Sequence, residues 1–438
     1  MKIVYVGDNR NRGNFGCRAT STALSQIISS NNEIVGRIYG KYTNVDTGEL
    51  FFWKYYPSWV YKMFGKFKYW KYLKKIFYLN HRLLRKGRFY FSCFDFITLD
   101  FDKSIDNLIK CLPANPCLDE FDLRKYDFDC LVVNGEGSFI FSTPPWRECL
   151  VEAMLMHWAQ KMGKKVYYLN GMLSDDPYSK HNEATIKAIQ PIFEKCEVVS
   201  VRDNYSYKFA CENFNNINLK LYPDALFSWY KYINDDYKVL DGKYIIGLSG
   251  ACDESYKLFD FSEPYICISG SSSVGLSGKS ESEIIEIYSL IVNMTKEKFK
   301  TNVFLVEVCE GDKFLNDVSK VTNTPIIPID TPILSAAKIL ANAKLYISGR
   351  YHPSILASLG GTPCVFMSSN SHKTISVQEL LQYDDIVEFS VVPTKDEIIK
   401  MLELGNKKIN QGDKLRNKIK KQCKKLSMET YFQKELLK

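Results

Sequence analysis

Short β-branched apolar runs alternate with amphipathic helical stretches along most of this chain, and few architectures accept that pattern. In the first half, strand candidates at 2–7, 129–135, 165–171, 198–203 and 219–224 are separated by helical stretches at 17–30, 146–162, 182–195 and 204–214. The second half repeats the style. Its strands fall near 244–250, 264–270, 302–308, 325–330, 345–350, 363–369 and 385–390, and its helices near 281–299, 333–342, 353–360 and 376–382. Runs apolar on both faces belong to parallel sheets covered by helices on both sides. At 438 residues the chain exceeds one ordinary core. The fold class is therefore α/β, with two Rossmann-like domains facing an inter-domain cleft. The domains are expected over 1–228 and 240–404, joined near 225–243, with a basic helix in 405–438 packing back on the first domain.

In open α/β sheets, ligands sit beyond the carboxyl ends of the strands, and the unusual residues of this chain collect there. The ends read Gly7-Asp8-Asn9, Asn134-Gly135-Glu136-Gly137-Ser138, Asn170-Gly171, Arg202-Asp203, Pro223-Asp224, Ser269-Gly270-Ser271 and Gly349-Arg350-Tyr351-His352. The loop at 7–24 is punctuated by Gly13 and Gly16, which let backbone approach a ligand, and runs into a helix whose first N–H groups suit an anion. Arg12 and Arg18 add charge. The loop matches neither a dinucleotide fingerprint nor a Walker loop, so nucleotide binding does not follow from it.

Glu136 stands between two glycines, where a carboxylate either orients or deprotonates a sugar hydroxyl, or caps its own turn. Asp203 reads as a helix N-cap. Arg202 beside it either binds an anion bidentately or pairs with a neighbouring carboxylate. The densest motif is "SGRYHPSILASLGG", where Arg350 and His352 stand ahead of a helix with Pro353 in its first turn. Together they offer an anion contact and a proton donor or acceptor near neutral pH. Neighbouring strand ends would bring Lys373, which follows His372, into the same pocket; the alternative is a solvated turn lysine.

Charge is unevenly spread. Residues 51–93 carry eleven Lys/Arg, no Asp/Glu and seventeen aromatic residues, while 405–438 carries eleven basic and three acidic residues. The whole chain is only +8, so the positive charge is local and points to a localised anionic partner. Basic, aromatic and amphipathic is the profile of a helical insertion lying in an anionic membrane interface, where each basic residue adds about 1 kcal/mol. An insertion folded on the first domain is the second reading. Stacking on single-stranded nucleic acid ranks below both, and no nucleic-acid partner is expected. Thirteen cysteines show no CxxC pair and no zinc spacing. They read as reduced thiols of a cytosolic protein, and no metal site is expected. The N-terminus reads as a first strand rather than a signal peptide.

Taken together, these residues resemble the polysaccharide pyruvyl transferase family across most of residues 1–390. The resemblance is carried by Asn11, Gly13 and Asn14 in the first loop, the glycines at 135 and 137, "VSVRDNYS", "YPDALF" and "ISGRYHPSILASLGGTPCVFM", with Lys373 beyond. It implies a two-domain, glycosyltransferase-B-like (GT-B-like) architecture. It also implies transfer of a pyruvyl group from phosphoenolpyruvate to a sugar, with release of phosphate and formation of a cyclic ketal, and no cofactor. On the matching positions, donor contacts fall on Arg202, Arg350, Tyr351 through its backbone, and His352, with Lys373 added from its position. Asn11, Gly13, Asn14, Arg18 and Asn134 are assigned to the acceptor.

His352 is the expected acid, with Arg350 beside it lowering its pKa, and Glu136 the expected base for a hydroxyl. With the basic insertion, the acceptor is expected to be a polyprenyl-diphosphate-linked sugar, and the enzyme a cytoplasmic one held at the inner face of the membrane. A nucleotide-sugar glycosyltransferase and a non-catalytic assembly scaffold are the competing readings.

Overall fold

The computed structural model describes residues 1–39, 96–114, 116–234, 243–244 and 259–437. The insertion expected over 51–93 lies outside the described residues, as does most of the strand expected at 244–250. The chain divides into two units, Met1–Asn9 with Ile28–Leu221, and Arg10–Ile27 with Tyr222–Lys438.

Along the first half run β1 (Lys2–Val6), α1 (Phe15–Ile28), β2 (Glu33–Ile38), α2 (Phe101–Cys111), β3 (Cys130–Asn134), β4 (Phe139–Phe141), α3 (Arg147–Lys161), β5 (Lys165–Gly171), β6 (Leu173–Asp175), α4 (Glu183–Glu194), β7 (Val198–Val201), α5 (Asn204–Asn213) and β8 (Leu219–Leu221). Six of these strands form one sheet in the order β2-β1-β3-β5-β7-β8, and every pairing in it is parallel. The order reverses between β1 and β3, so the crevice of this sheet opens beside Gly7 and Asn134. Its core joins aliphatic residues of the strands and α3, such as Val4, Val6, Leu131, Val133, Leu150 and Val166, to a buried aromatic group that includes Phe139, Tyr168, Phe193 and Phe214. β3 is buried throughout, which is why it reads as a continuous apolar run up to Val133.

The second half holds β9 (Lys243–Tyr244), β10 (Phe259–Asp260), β11 (Tyr265–Ser271), α6 (Glu281–Phe299), β12 (Asn302–Val306), α7 (Leu315–Thr322), β13 (Ile326–Ile327), α8 (Ile333–Asn342), β14 (Leu345–Gly349), α9 (Tyr351–Leu359), β15 (Cys364–Met367), α10 (Lys373–Leu380), β16 (Glu388–Phe389), α11 (Lys395–Asn410) and α12 (Gly412–Thr430). The sheet order is β13-β12-β11-β14-β15-β16, all parallel. Numbered from β11, this is the Rossmann order 3-2-1-4-5-6, with its switch point between β11 and β14. Ser271 pairs with Gly349 there. A Cβ on Gly349 would lie 2.4 Å from Ser271 Cβ and 2.7 Å from the Ser368 carbonyl, so glycine is what lets the ends of β11, β14 and β15 meet.

Two placements differ from the sequence reading. Helix α1, grouped there with the first domain, belongs to the second unit. Its Phe15 N–H donates to Val308 O at 3.0 Å, Asn14 bridges Cys309, and Arg18 Nη2 donates to Ile329 O at 2.7 Å. The basic helix α12, expected against the first domain, packs within the second unit. Its apolar stripe Leu415, Ile419, Cys423 and Leu426 is buried, and Arg416 donates to the carbonyls of Ala343, Ala341 and Gly360. The lysines occupy the remaining faces. No helix among the described residues is long and apolar enough to cross a membrane.

Candidate active site

In the second unit the site is built on the carboxyl edge of the Rossmann sheet. β14 ends at Gly349, Arg350 takes the N-cap position, and α9 begins at Tyr351. The Arg350 backbone N–H donates to Ser348 Oγ at 3.0 Å, fixing the turn. The Arg350 guanidinium donates through Nη2 to Asp312 Oδ1 at 2.5 Å. Side-chain exposure is 12% for Arg350 and 0% for Asp312. Burial opposes the Arg350 charge, but Asp312 outweighs it and holds the guanidinium above its ordinary pKa. Burial pushes the Asp312 carboxyl up, against the pull of Arg350 and of the Val308 N–H, which donates to its Oδ2.

His352, one turn position on, turns its Nε2 to Asp224 Oδ2 at 3.2 Å. Asp224 is fully buried. Its other oxygen accepts from Thr20 Oγ1 and from the Leu226 N–H, each at 2.9 Å. The second bond caps the short 3-10 helix Ala225–Trp229. The opposite nitrogen of the ring lies against the start of α1: a Cβ on Gly16 would sit 2.7 Å from His352 Nδ1 and 2.8 Å from its Cβ. Tyr351 is buried, with its ring edge-on to the imidazole at 5.0 Å.

The first loop wraps this edge. Asn14 caps α1 by accepting the Cys17 N–H at 3.2 Å, and Gly13 leaves 3.3 Å to Ile329 Cδ1 for a would-be Cβ. Arg18 lies over the Phe15 ring at 5.1 Å, and burial lowers its pKa. Asn11 is exposed on the loop. Lys373 opens α10 at the same sheet edge and donates to Asn370 Oδ1 at 3.2 Å. Asn370 is tied in turn to Ser272 after β11. The structure thus brings Gly13, Asn14 and Arg18 onto the carboxyl edge of the second unit's sheet, with Arg350 and His352.

In the first unit, Glu136 follows β3 in the left-handed region, at φ 28°. Such backbone in a non-glycine residue persists only where its surroundings enforce it. Asn9 Nδ2 donates to Glu136 Oε2 at 2.7 Å. Asn134 Nδ2 donates to Gly7 O, and Asn170 Nδ2 to Asn134 Oδ1, both at 3.2 Å. Gly135 admits no side chain, since a Cβ there would meet the Tyr168 ring at 2.2 Å. Arg202 is buried at the end of β7, with its N–H donating to Gly171 O. Burial, with Glu152 adding, raises the Tyr168 hydroxyl, and the Arg202 charge opposes it. Asp203 accepts from the Ser206 N–H at 2.8 Å, so it is the N-cap of α5.

Asp224 and Asp312 are absent from the residues singled out for chemistry in the sequence. "YPDALF" marks the first at a strand end, but nothing in "EGDKF" marks the second. Among the described residues, no cluster of three or more His, Cys, Asp or Glu could hold a metal ion.

The sequence profile described as "Polysaccharide pyruvyl transferase" matches residues 14–371. The chain belongs to the polysaccharide pyruvyl transferase family, a family of transferases, as its motifs imply. No curated protein matches the sequence. Among solved structures, UDP-GlcNAc 2-epimerase from Neisseria meningitidis bound to UDP-GlcNAc is similar at 10% identity, over 99% of this chain and 100% of that one, with a TM-score of 0.49. The Methanocaldococcus jannaschii UDP-GlcNAc 2-epimerase in complex with UDP-GlcNAc and UDP shows 11% identity over 92% of each chain, at 0.47. Sucrose-phosphate synthase from Thermosynechococcus elongatus shows 13% over 77% of each, at 0.39. The fold itself is read from the strand orders above.

Proposed function

We propose that the protein transfers a pyruvyl group from phosphoenolpyruvate to two hydroxyls of a polysaccharide-precursor sugar. The observation that carries this reading is the pair of buried carboxylates holding Arg350 and His352 at one helix start. Arg350 gives Nη2 to Asp312, and its Nε has no hydrogen-bond partner among the described residues. Asp312 thus holds the guanidinium in place, and a guanidinium suits a donor that carries both a carboxylate and a phosphate.

His352 delivers a proton to C3 of the enol, leaving a cation at C2 that the first hydroxyl attacks. The C2–O bond to phosphate then breaks, and the second hydroxyl closes the ketal. The two hydroxyl protons balance the reaction, one restoring the proton spent on C3 and one leaving with phosphate. Lys373 and the N–H groups at the start of α9 are suited to the second anionic group of the donor.

The test is acceptor-dependent phosphate release from phosphoenolpyruvate with membrane-extracted lipid-linked oligosaccharides, comparing wild type with His352→Ala. Release lost in the variant supports the reading. Turnover with a nucleotide sugar and none with phosphoenolpyruvate replaces it with glycosyl transfer. The finer reading, a lipid-linked acceptor and docking on an anionic membrane face, is supported by the eleven basic and seventeen aromatic residues of 51–93. It requires salt-sensitive binding to anionic liposomes that is lost when 51–93 is deleted; equal binding by both proteins ends it.

A further inference from the structure

We propose that Asp224 is a positioning residue that fixes the proton of His352 on Nε2 and so sets the tautomer and orientation of the ring. The assignment follows from what surrounds each oxygen of Asp224. Oδ1 faces two donors, the Thr20 hydroxyl and the Leu226 N–H, each at 2.9 Å. Oδ2 faces His352 Nε2 at 3.2 Å. A carboxylate only accepts, so Nε2 carries hydrogen toward it. Thr20 and Asp224 are both fully buried, and the His352 side chain is 11% exposed. The far nitrogen, Nδ1, is left at the start of α1 beside Gly16. The logic is that of a carboxylate holding a general acid–base histidine in one tautomer and orientation, built here between "YPDALF" and the Arg-x-His turn.

The substitution Asp224→Asn inverts this arrangement without emptying it. The asparagine oxygen takes the place that faces two donors, so its NH2 must face Nε2. Nε2 then becomes the acceptor and the proton moves to Nδ1. The 3-10 helix keeps its cap, because an amide oxygen accepts the Leu226 N–H as well.

The experiment uses full-length protein carrying 15N-labelled histidine, at a pH where the ring is neutral. His352 is assigned by the signal that disappears in His352→Gln. Wild type is expected to show protonated Nε2 and bare Nδ1, and Asp224→Asn the reverse. In phosphate release from phosphoenolpyruvate, Asp224→Asn is expected to lower kcat on the order of 10³-fold and to change KM for the donor by less than about threefold. Thr20→Val, which leaves the carboxylate in place, is expected to cost about tenfold in kcat with the wild-type tautomer retained.

A wild-type ring protonated on Nδ1, an unchanged tautomer in Asp224→Asn, or an Asp224→Asn protein that is less stable yet has wild-type kcat overturns the proposal. The catalytic consequence rests on the pyruvyl-transfer reading. Were wild type to release no phosphate from phosphoenolpyruvate, that reading would fall, and the tautomer measurement would still decide the role of Asp224.

Discussion

Gly16 and Arg350 show at the residue scale how the second unit reserves space and charge for chemistry. The His352 ring occupies the volume where a Gly16 side chain would stand. Gly16→Ala therefore pushes the imidazole off Asp224 rather than unfolding α1, in which alanine is the better helix former. Since displacement of a reacting group by about 1 Å costs about 10²-fold, phosphate release should fall by that order with circular dichroism unchanged. Gly275→Ala, at a position with nothing within 4 Å, is the silent control; equal activity of both variants would mean the ring is not held where the reaction needs it. The Arg350–Asp312 pair separates stability from function. Arg350→Met leaves a buried carboxylate without its cation, at a cost of about 3–5 kcal/mol. Adding Asp312→Leu should recover most of that stability in denaturant unfolding, while activity stays lost. Recovery of activity in the double variant would remove Arg350 from the chemistry.

Helices α9, α11 and α12 support the site at the element scale, and one of them carries a pH-sensitive group. Lys408 of α11 is buried, donates to Cys364 O at 2.6 Å and sits 3.9 Å from the centre of the Tyr383 ring. Burial lowers its pKa from 10.5 to about 8. The folded state thus binds fewer protons than the unfolded state between those values, so stability rises as pH increases from about 8 to 10.5. Below about 8 the penalty is complete. Lys408→Met should unfold at an equal or higher temperature than wild type at pH 7, and the difference should close between pH 8 and 10. A difference that stays constant over that range would show that Lys408 is not the titrating group.

These elements also show how far the sequence could be read. The buried strands β1, β3, β5, β11 and β14 and helices such as Glu281–Phe299 were legible because their apolar periodicity is uninterrupted. β2 was not, since Gly36 breaks its run to make room for the Tyr126 ring. α11 was missed for a similar reason: Gly405 interrupts its stripe where Leu345 approaches, although its capping box at Thr394 and Glu397 is a readable start. The placement of Arg350 and His352 was legible from local pattern, because a strand end followed by a helix start sets them at fixed spacing on the sheet edge. Their partners were not, because Asp312 and Asp224 lie 38 and 128 residues away in sequence.

The chain's path sets a limit at the scale of the whole molecule that no single motif reveals. It leaves the first unit after Asn9, contributes residues 10–27 to the second, returns at Ile28 and leaves again at Tyr222. A sequence-based cut between domains near residue 228 would therefore strand α1 on the wrong piece. Even a fragment begun at Tyr222 loses Thr20 from Asp224, Gly16 from His352 and Gln26 from the Trp229 indole N–H, which donates to it at 3.0 Å. It also loses the buried Phe15, Ala19, Ala23 and Leu24, worth on the order of 5 kcal/mol of apolar burial. For a unit of this size, 1 kcal/mol shifts the melting temperature by about 2–4 °C. Residues 222–438 alone should therefore melt at least about 10 °C below the same fragment with residues 10–27 restored through a long flexible linker. The restored fragment should also regain the histidine tautomer signal of the full chain. Equal melting of the two fragments by calorimetry would mean that α1 is not part of this unit's cooperative core. The Asp224–His352 arrangement would then have to form without the helix that supplies Thr20 and Gly16.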